Sequence, residues 1–259
     1  VIKEDLDHIK EEFAQPRKTL IENGKEVVYE ESAVAVSEVV FVMDRFGYCK
    51  LLDRSTYDRN RETVDTEYKY VIPCLNTDKL CVFTDTGNLH QIKLMDVPSG
   101  KLRDKGTPID NLSKYDGSKE EIIFLTNFGR LTGQILLFAT KMAMVKQVPA
   151  EEFVTNNRTV ASTKLQEGDS LLTVRIVGTE TDLALQSAGG MFLRFSMEDI
   201  PELKKNSRGV RGMKLGAGDE LENVYFVTQQ PQITYKEKEV HLNRLKLAKR
   251  DGKGSKVRL

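Results

Sequence analysis

Residues 183–195 read LALQSAGGMFLRF, an apolar run, a short turn-like stretch with glycine, and a second run rich in apolar residues. The same order occurs at residues 39–51 (VVFVMDRFGYCKL), 80–92 (LCVFTDTGNLHQI) and 136–146 (LLFATKMAMVK). Two β-prone runs joined by a tight turn predict a β-hairpin. The chain therefore contains four copies of one hairpin, and this repeat decides the fold.

The turn position within each copy gives the period of the repeat. It falls at Gly47, Gly87, Ala143 and Gly190, which are 40, 56 and 47 residues apart. Units of roughly this length are typical of propeller-like arrays, in which each repeat is one small sheet. We therefore predict an all-β fold, and the functional question becomes what a ring of blades presents on its surface.

The first residues follow a different pattern. Ile2, Leu6, Ile9 and Phe13 have helical spacing, and Pro16 ends it. We interpret residues 1–20 as the end of a connecting helix and residues 21–259 as the β domain, which begins with a hairpin around residues 23–24. A surface amphipathic helix would explain the same residues, and the start at Val1 indicates a piece of a longer protein.

Composition narrows the class of protein. The chain has 259 residues, of which 39% are hydrophobic, and 39 basic residues balance 39 acidic ones. The sequence has no apolar run long enough to cross a membrane and no signal-peptide pattern, so we expect a cytoplasmic protein without a membrane partner. Three cysteines, an odd number, indicate buried free thiols in a reducing compartment.

A second repeat follows the hairpins. A basic loop with small residues precedes a short apolar strand at residues 105–112, 157–165 and 204–215. A Gly-Asp turn follows at Gly168-Asp169 and Gly218-Asp219. The last segment, residues 236–259, has nine basic residues against three acidic ones, and either a final strand pair or a contact with a phosphate backbone would account for it.

These motifs together resemble one protein family. Residues 208–215 (RGVRGMKL), the hairpin endings at Gly47 and Gly190, and residues 16–19 (PRKT) are similar to the carboxy-terminal domain of the A subunit of bacterial type IIA topoisomerases. That family comprises DNA gyrase and topoisomerase IV. The resemblance covers nearly the whole chain and implies a β-pinwheel, a propeller-like ring of about six four-stranded blades with strand exchange between neighbours.

The resemblance also implies a function. Duplex DNA would bend around a basic outer rim, without base readout, and so be presented to the strand-passage core that controls supercoiling. The implied partners are double-stranded DNA, the B subunit, and the rest of the A subunit. ATP and Mg²⁺ are implied only for the whole enzyme; this region requires no cofactor and lacks the catalytic tyrosine region, so it should be inactive alone.

One loop departs from the gyrase pattern. Gyrase carries a glutamine-led box rich in arginine and glycine after the first hairpin, whereas residues 57–67 here read YDRNRETVDTE. Glycines allow backbone amides to approach phosphates closely, and none is present. We therefore expect weak wrapping, which favours topoisomerase IV or a weakly wrapping gyrase paralogue and leaves the choice between gyrase and topoisomerase IV open.

Basic residues near the hairpins and in the densest basic loop are the candidate DNA contacts. Glycines at 209 and 212 would let that loop approach phosphates. The alternative is that these side chains are simply solvated. The candidate residues are Lys50, Arg54, Arg59, Arg61, Lys141, Lys146, Arg194, Lys204, Lys205, Arg208, Arg211 and Lys214.

Catalytic and metal sites find no support in the sequence. The three histidines lie in dissimilar contexts, and no His or Cys spacing suits zinc. No phosphate-binding loop of the Gly-Lys-Ser/Thr type occurs. We predict no catalytic or metal-binding residues. A β-propeller that binds protein and not DNA remains the alternative, since the charge is balanced; a propeller-shaped enzyme would need convergent histidines or carboxylates that the sequence does not offer.

Overall fold

The computed structural model describes residues 2–15 and 35–257, in two units that divide at residue 35. The first unit contains helix α1, Ile2–Phe13. Its apolar residues Ile2, Leu6 and Phe13 are exposed, and acidic residues occupy its first turn, where the helix dipole favours them. The predicted helix is thus confirmed over this span. The predicted hairpin at residues 23–24 and the boundary at residue 20 lie outside the described residues.

Four sheets and a separate hairpin form the second unit. We call the sheets blades 1 to 4, and we number strands and helices along the chain. Blade 1 contains β1 (Glu38–Met43), β2 (Tyr48–Asp53), β3 (Tyr70–Leu75) and β6 (Thr107–Pro108). Blade 2 contains β4 (Lys79–Thr84), β5 (Asn88–Lys93), β7 (Ile122–Asn127) and β10 (Thr159–Ala161).

The later strands repeat this arrangement. Blade 3 contains β8 (Ile135–Thr140), β9 (Met144–Pro149), β11 (Leu171–Val177) and β14 (Val210–Arg211). Blade 4 contains β12 (Asp182–Ser187), β13 (Met191–Ser196), β15 (Leu221–Phe226), β18 (Leu247–Ala248) and β19 (Ser255–Lys256). The separate hairpin is β16 (Gln232–Tyr235) with β17 (Lys238–His241).

Short helices connect the strands. The α-helices are α2 (Arg54–Arg59), α3 (Arg61–Glu67) and α4 (Phe128–Leu131). The 3₁₀ turns are Leu94–Asp96, Ile109–Asn111, Ala150–Phe153, Met197–Asp199 and Leu242–Arg244.

The four predicted hairpins are all present, and their turns explain the repeat. The backbone φ angles at Gly47, Gly87, Ala143 and Gly190 are 84°, 77°, 60° and 78°. A hairpin turn that matches the twist of its strands needs a residue in this left-handed region, which glycine adopts without strain. Ala143 adopts it at a steric cost, so the third copy keeps the same turn without a glycine.

The Gly-Asp repeat caps these turns. The Asp169 carboxylate accepts a hydrogen bond of 2.9 Å from the Met142 amide at the tip of the blade 3 hairpin. Asp219 accepts one of 2.8 Å from the Gly189 amide in blade 4. Each aspartate therefore satisfies an amide that the two-residue turn leaves without a partner.

Strand exchange links the blades. β6 follows the blade 2 hairpin in sequence but pairs with β2 of blade 1, and β10 follows the blade 3 hairpin but pairs with β5 of blade 2. β14 and β19 continue this pattern. Each blade is thus completed by the chain that leaves the next hairpin, which confirms the predicted β-pinwheel. The described residues form four complete blades and one two-stranded hairpin, where the sequence predicted about six four-stranded blades.

The inner and outer edges of the blades follow from their contacts. One edge strand of each blade contacts the corresponding edge strand of the next blade: β3 contacts β7, β7 contacts β11, and β11 contacts β15. We call this edge the inner edge. The exchanged strands lie at the opposite edge of every sheet. We call this outer edge the rim.

The hydrophobic core lies between successive blades and has no single centre. Phe41 and Leu80 share a cluster between blades 1 and 2. Phe83 and Phe138 share one between blades 2 and 3, where Phe83 also meets the Phe153 ring edge-on at a centroid distance of 5.5 Å. Both faces of the hairpin strands are therefore buried. Such layered packing holds each blade against its neighbours.

Residues 54–67 form a structure that differs from the one predicted from the sequence. The prediction placed a loop at 57–67, whereas the chain forms α2 and α3 there. Tyr57 is the buried residue of α2 and Val64 that of α3. They pack on Val40 and Leu52 of blade 1. Burial of this pair folds the segment onto the blade, and the two helices are too short for periodicity to reveal.

Candidate functional site at the rim

The register of the exchanged strands defines one repeated surface position. In each blade, the second residue of the second hairpin strand lies opposite a residue of the exchanged strand, as Cys49 does with Thr107 and Val145 with Val210. Counting back two residues from that partner reaches a basic residue every time. The four residues are Lys105, Arg158, Arg208 and Lys253, and we call them the rim cations.

All four rim cations are exposed. The Nζ atom of Lys105 lies 4.1 Å from the centroid of the Tyr48 ring, a cation–π contact that leaves the charge at the surface. Within residues 2–15 and 35–257, no carboxylate pairs with any of the four, and none donates a side-chain hydrogen bond. This repeated rim position thus presents an unneutralised positive charge in every blade.

A glycine follows the rim cation in three of the blades. A Cβ at Gly106 would lie 2.5 Å from the carbonyl oxygen of Cys49, and one at Gly209 would lie 2.6 Å from that of Val145. These distances are too short for any side chain. The backbone therefore approaches the neighbouring strand closely at the residue that follows the cation. Blade 2 carries Thr159 at this position.

The predicted basic loop at residues 204–214 lies at the blade 3 rim, but its charges differ in availability. Lys204, Arg208 and Lys214 are exposed. The Nζ atom of Lys205 donates to the Glu152 carbonyl at 2.6 Å. Arg211 forms an ion pair with Asp251 and thereby lowers the pKa of that carboxyl. The loop therefore offers three free cations and two engaged ones.

Lys50 and Lys146 are not at the surface, so the DNA contact predicted for them does not fit the structure. Each is 1% exposed. The Lys50 Nζ donates to the carbonyls of Lys101 and Leu102 at 2.8 and 2.9 Å, and to a third at Asp104. Strand alternation allowed either face, but both faces of this strand are buried in the blade, and each lysine turns inward to a loop.

The remaining predicted residues are engaged in local contacts. Arg54 pairs with Asp58 at 3.1 Å, and the Nε atoms of Arg59 and Arg61 donate to the Ser55 carbonyl and the Tyr57 hydroxyl. All three belong to the α2–α3 segment. Their charges are exposed in part, but acidic neighbours in the same two helices offset them.

Lys141 and Arg194 lie in blades 3 and 4. Lys141 is exposed at a hairpin tip, 3.9 Å from Glu220. Arg194 is half-buried, pairs with Asp182 and donates to the carbonyls of Asn243 and Leu245. Arg194 thus joins blade 4 to the chain that follows β17, which is a structural role.

Three of the rim cations, Lys105, Arg158 and Lys253, were missed as candidate residues. The sequence did contain a signal, because basic loops before short apolar strands were recognised as a repeat. The sequence does not reveal the register between each exchanged strand and the hairpin strand with which it pairs, because this requires knowing which two strands pair. The paired residues are distant in sequence, as Val160 and Leu89 are.

A cavity in blade 1 does not favour an anion. This cavity of about 490 Å³ lies beside the blade 1 hairpin tip, and its lining includes the carboxylates of Asp44, Asp110, Glu120 and Glu121 and the cations Arg45 and Lys69. The carboxylates outnumber the cations, so the net charge of the lining disfavours phosphate. A nucleic-acid path therefore fits the rim and not this cavity.

The potential metal ligands and the cysteines of the described residues lie apart from one another or are buried. The described residues contain no cluster of three or more histidines, cysteines or carboxylates able to hold a metal ion. Burial raises the pKa of the Cys49 and Cys81 thiols to about 12, so these buried cysteines stay protonated. Of the helices described, none has the length and apolar character needed to cross a membrane.

Comparisons with known proteins agree with this architecture. A family model described as "DNA gyrase C-terminal domain, beta-propeller" matches residues 134–178 and 181–228, which contain the hairpins of blades 3 and 4. The A subunit of DNA gyrase from Lawsonia intracellularis is 29% identical over 233 residues, which is 85% of this chain and 28% of that protein. Its counterpart in Helicobacter pylori strain J99 is 28% identical over the same shares. The chain thus spans little more than a quarter of these relatives.

Solved structures share the fold. The C-terminal domain of a DNA topoisomerase IV superimposes with a TM-score of 0.75 at 22% identity, over 85% of this chain and 72% of that one. The E. coli ParC C-terminal domain gives a TM-score of 0.70 at 16% identity, over 86% and 94%. A DNA gyrase A C-terminal domain gives 0.56 at 21% identity, over 84% and 76%.

Proposed function

Because this chain belongs with the carboxy-terminal domains of type IIA topoisomerase A subunits, we propose that it binds duplex DNA along its rim and bends it. The observation that carries this proposal is the set of rim cations, one per blade, at equivalent positions and without neutralising partners. A row of unpaired cations suits the regularly spaced phosphates of a duplex. Contacts to phosphate position a protein on DNA without reading its sequence.

Bending follows from the arrangement of the blades. Successive blades contact through their inner strands, so their outer edges fan out from a common centre. A duplex that touches successive rim cations must follow that curved edge. Its deformation requires energy, which the added phosphate contacts offset.

We propose that wrapping is weak. The α2–α3 segment occupies the place where gyrase carries its arginine- and glycine-rich box, and it contains Asp58, Glu62 and Asp65 beside its arginines. Residues 54–67 contain no glycine and fold into two short helices, so this segment lacks the glycine loop that lets consecutive backbone amides approach a phosphate closely. The charge of this segment and its lack of glycine both limit wrapping.

The role in the whole enzyme rests on the relatives. We propose that the domain presents DNA to the strand-passage core of a cytoplasmic topoisomerase, formed with the B subunit together with the remainder of the A subunit. ATP and Mg²⁺ would be used by those other parts. The domain itself would hold the duplex and would not cleave it.

A salt series tests the proposal. Binding of a mixed-sequence duplex is measured for the native chain and for a variant in which the four rim cations are replaced by alanine. Each phosphate contact that the variant no longer makes should reduce the slope of log K against log salt by about one, so its slope should fall by roughly four. A control replaces four exposed basic residues outside the exchanged strands and the rim positions, Arg45, Lys69, Lys114 and Arg130, and removes the same net charge.

The outcomes are distinct. A large loss of affinity in the rim variant with a small loss in the control supports the proposal. Equal losses would show that only total charge matters. Absence of binding by the native chain at low salt would reject the DNA role and favour a protein-interaction module. The linking number of a relaxed plasmid, closed in the presence of the chain, then separates bending from wrapping, and we expect a small change.

A further inference from the structure

Lys146 is a buried cation without a carboxylate partner. It is 1% exposed, and its Nζ atom lies 5.3 Å from the centroid of the Phe138 ring. Burial lowers its pKa to about 8, and Glu152, the charged group that acts on it, partly opposes that shift. A buried charge is costly unless other groups satisfy it. The Lys146 ammonium therefore needs hydrogen-bond acceptors inside the protein.

Three backbone carbonyls satisfy Lys146, and all three come from one loop. The Nζ atom donates to the carbonyls of Lys204, Lys205 and Ser207 at 3.4, 2.7 and 2.8 Å. The Ser207 amide also donates to the Lys204 carbonyl at 3.1 Å, which closes a turn. An ammonium has three protons to donate, so one lysine can hold this turn from the inside.

The loop that Lys146 holds carries the free charges of the blade 3 rim. Its carbonyls face inward to the ammonium, while the side chains of Lys204 and Arg208 are exposed. Gly209 then passes close to the Val145 carbonyl and leads into β14. Arg208 therefore lies between two fixed segments: residues 204–207, whose carbonyls bind Lys146, and β14, which pairs with β9.

The same device occurs in blade 1 and not in the other two. Lys50 occupies the equivalent strand position and binds three carbonyls of the loop that precedes Lys105. Blade 2 has His90 and blade 4 has Leu193 at this position. The blade can therefore form without a lysine there, which indicates that the lysine serves the loop.

We propose that Lys146 is a positioning residue for DNA binding: by donating to three carbonyls of residues 204–207, it holds Lys204 and Arg208 in the geometry that meets phosphates. This inference rests on the proposed function. According to this proposal, Lys146 increases the affinity for duplex DNA although its ammonium group does not contact the DNA.

The experiment combines loop protection with DNA affinity. Lys146→Met keeps the length of the side chain and removes the donors. We expect amide hydrogen exchange at residues 203–209 to rise at least about tenfold without DNA, and duplex affinity to fall about fivefold. In an Arg208→Ala, Lys204→Ala background, the affinity loss from Lys146→Met should largely disappear, because the loop then has little to position.

A matched control separates positioning from general destabilisation. Val148→Ala truncates another fully buried side chain of β9, one that packs in the core between blades 2 and 3 and not on the loop. It should lower stability but leave loop exchange and affinity unchanged. If Lys146→Met behaves like Val148→Ala, or if its affinity loss is equal in the Arg208→Ala, Lys204→Ala background, the proposal is rejected.

A pH series on the native chain covers the case in which Lys146→Met does not fold. Loss of a proton leaves the amine with two donors for three carbonyls. Exchange of residues 203–209, corrected for base catalysis, should rise with a midpoint near pH 8, and affinity should fall over the same range. If exchange and affinity stay unchanged across the pH range in which the NMR signals of the Lys146 side chain titrate, the positioning role is rejected. If the native chain binds no duplex at all, the proposed function fails first, and exchange alone still shows whether Lys146 holds the loop.

Discussion

Blades 2 and 3 each present an arginine at the rim, Arg158 and Arg208, but different groups hold the chain behind it. In blade 3, the Lys146 ammonium binds backbone carbonyls, and Gly209 lies against the neighbouring strand. In blade 2, His90 takes the place of the lysine, and Thr159 takes the place of the glycine.

The blade 2 contacts are made between side chains. The His90 Nδ1 atom lies 2.9 Å from the Thr159 hydroxyl, and its Nε2 atom lies 3.1 Å from the Glu120 carboxylate. Glu120 also accepts hydrogen bonds from Thr84 and Thr86. The comparison shows that the fold fixes where the cation stands, while the internal contacts that support it can be exchanged. Lys146 in blade 3 changes charge on the alkaline side of neutrality and Glu120 in blade 2 on the acidic side.

The largest expected effect concerns alkaline pH in blade 3. The pKa of Lys146 is lowered to about 8 in the folded chain and returns to about 10.4 on unfolding. The unfolded state then binds more protons between these values, so this group adds stability as pH rises from about 8 to 10.4. Relative to Lys146→Met, the native free energy of unfolding should rise by up to about 3 kcal/mol. Urea denaturation at several pH values measures this, and a constant difference would contradict it.

The next effect is steric and tests the glycine of blade 3. Gly209 has a φ of 88°, and an added Cβ would lie 2.6 Å from the Val145 carbonyl oxygen. Gly209→Ala should therefore lower the free energy of unfolding by about 2 kcal/mol, through backbone strain and displacement of β14. Thr159→Ala, at the equivalent place in blade 2, loses one hydrogen bond and should cost about 1 kcal/mol. Equal costs at the two positions would show that the close approach is not what requires glycine.

A smaller effect concerns acidic pH in blade 2. Desolvation raises the pKa of Glu120, but hydrogen bonds from Thr84, His90 and Thr86 outweigh it and lower the pKa overall. Its stabilisation is therefore present above the unfolded value of about 4.3 and is lost as pH falls through the folded value. Glu120→Gln should destabilise by about 1 kcal/mol at pH 7, and the difference should shrink as pH falls below the unfolded value and through the folded one. A difference that stays constant over the whole acidic range in which the chain remains folded would contradict this assignment.

The smallest effect on stability is expected for the rim cations themselves. Arg158→Ala and Arg208→Ala remove exposed, unpaired side chains, so each should change the free energy of unfolding by less than about 0.5 kcal/mol. Both should reduce the salt slope of duplex binding by about one. If only Arg208→Ala affects binding, the two rims are not equivalent, and the different supports matter for function.

The hairpins and the resemblance to the topoisomerase domains were accessible from the sequence because their causes are local. A turn that requires a left-handed residue and two flanking β-prone runs are visible within 13 residues, and Ala143 could be recognised by its place in the repeat. The comparisons and the four hairpins confirm these predictions.

The direction of each charged side chain was decided by the tertiary structure. Hairpin strands such as β1 and β4 are buried on both faces between blades, so alternation does not separate inside from outside. The sequence pattern therefore predicts Lys50 and Lys146 at the surface, whereas in the structure both are buried and bind backbone carbonyls. The helices α2 and α3 likewise depend on Tyr57 and Val64 finding blade 1, a contact that two short segments do not reveal by themselves.

The sequence by itself thus determined the repeat unit, its turns and the family to which they point. Only the tertiary structure decided which blade each exchanged strand completes, and hence that Lys105, Arg158, Arg208 and Lys253 occupy one repeated position at the rim. The physical reason is range. Turn conformation depends on adjacent residues, whereas strand exchange pairs segments more than 50 residues apart, such as Thr107 with Cys49, through packing between blades.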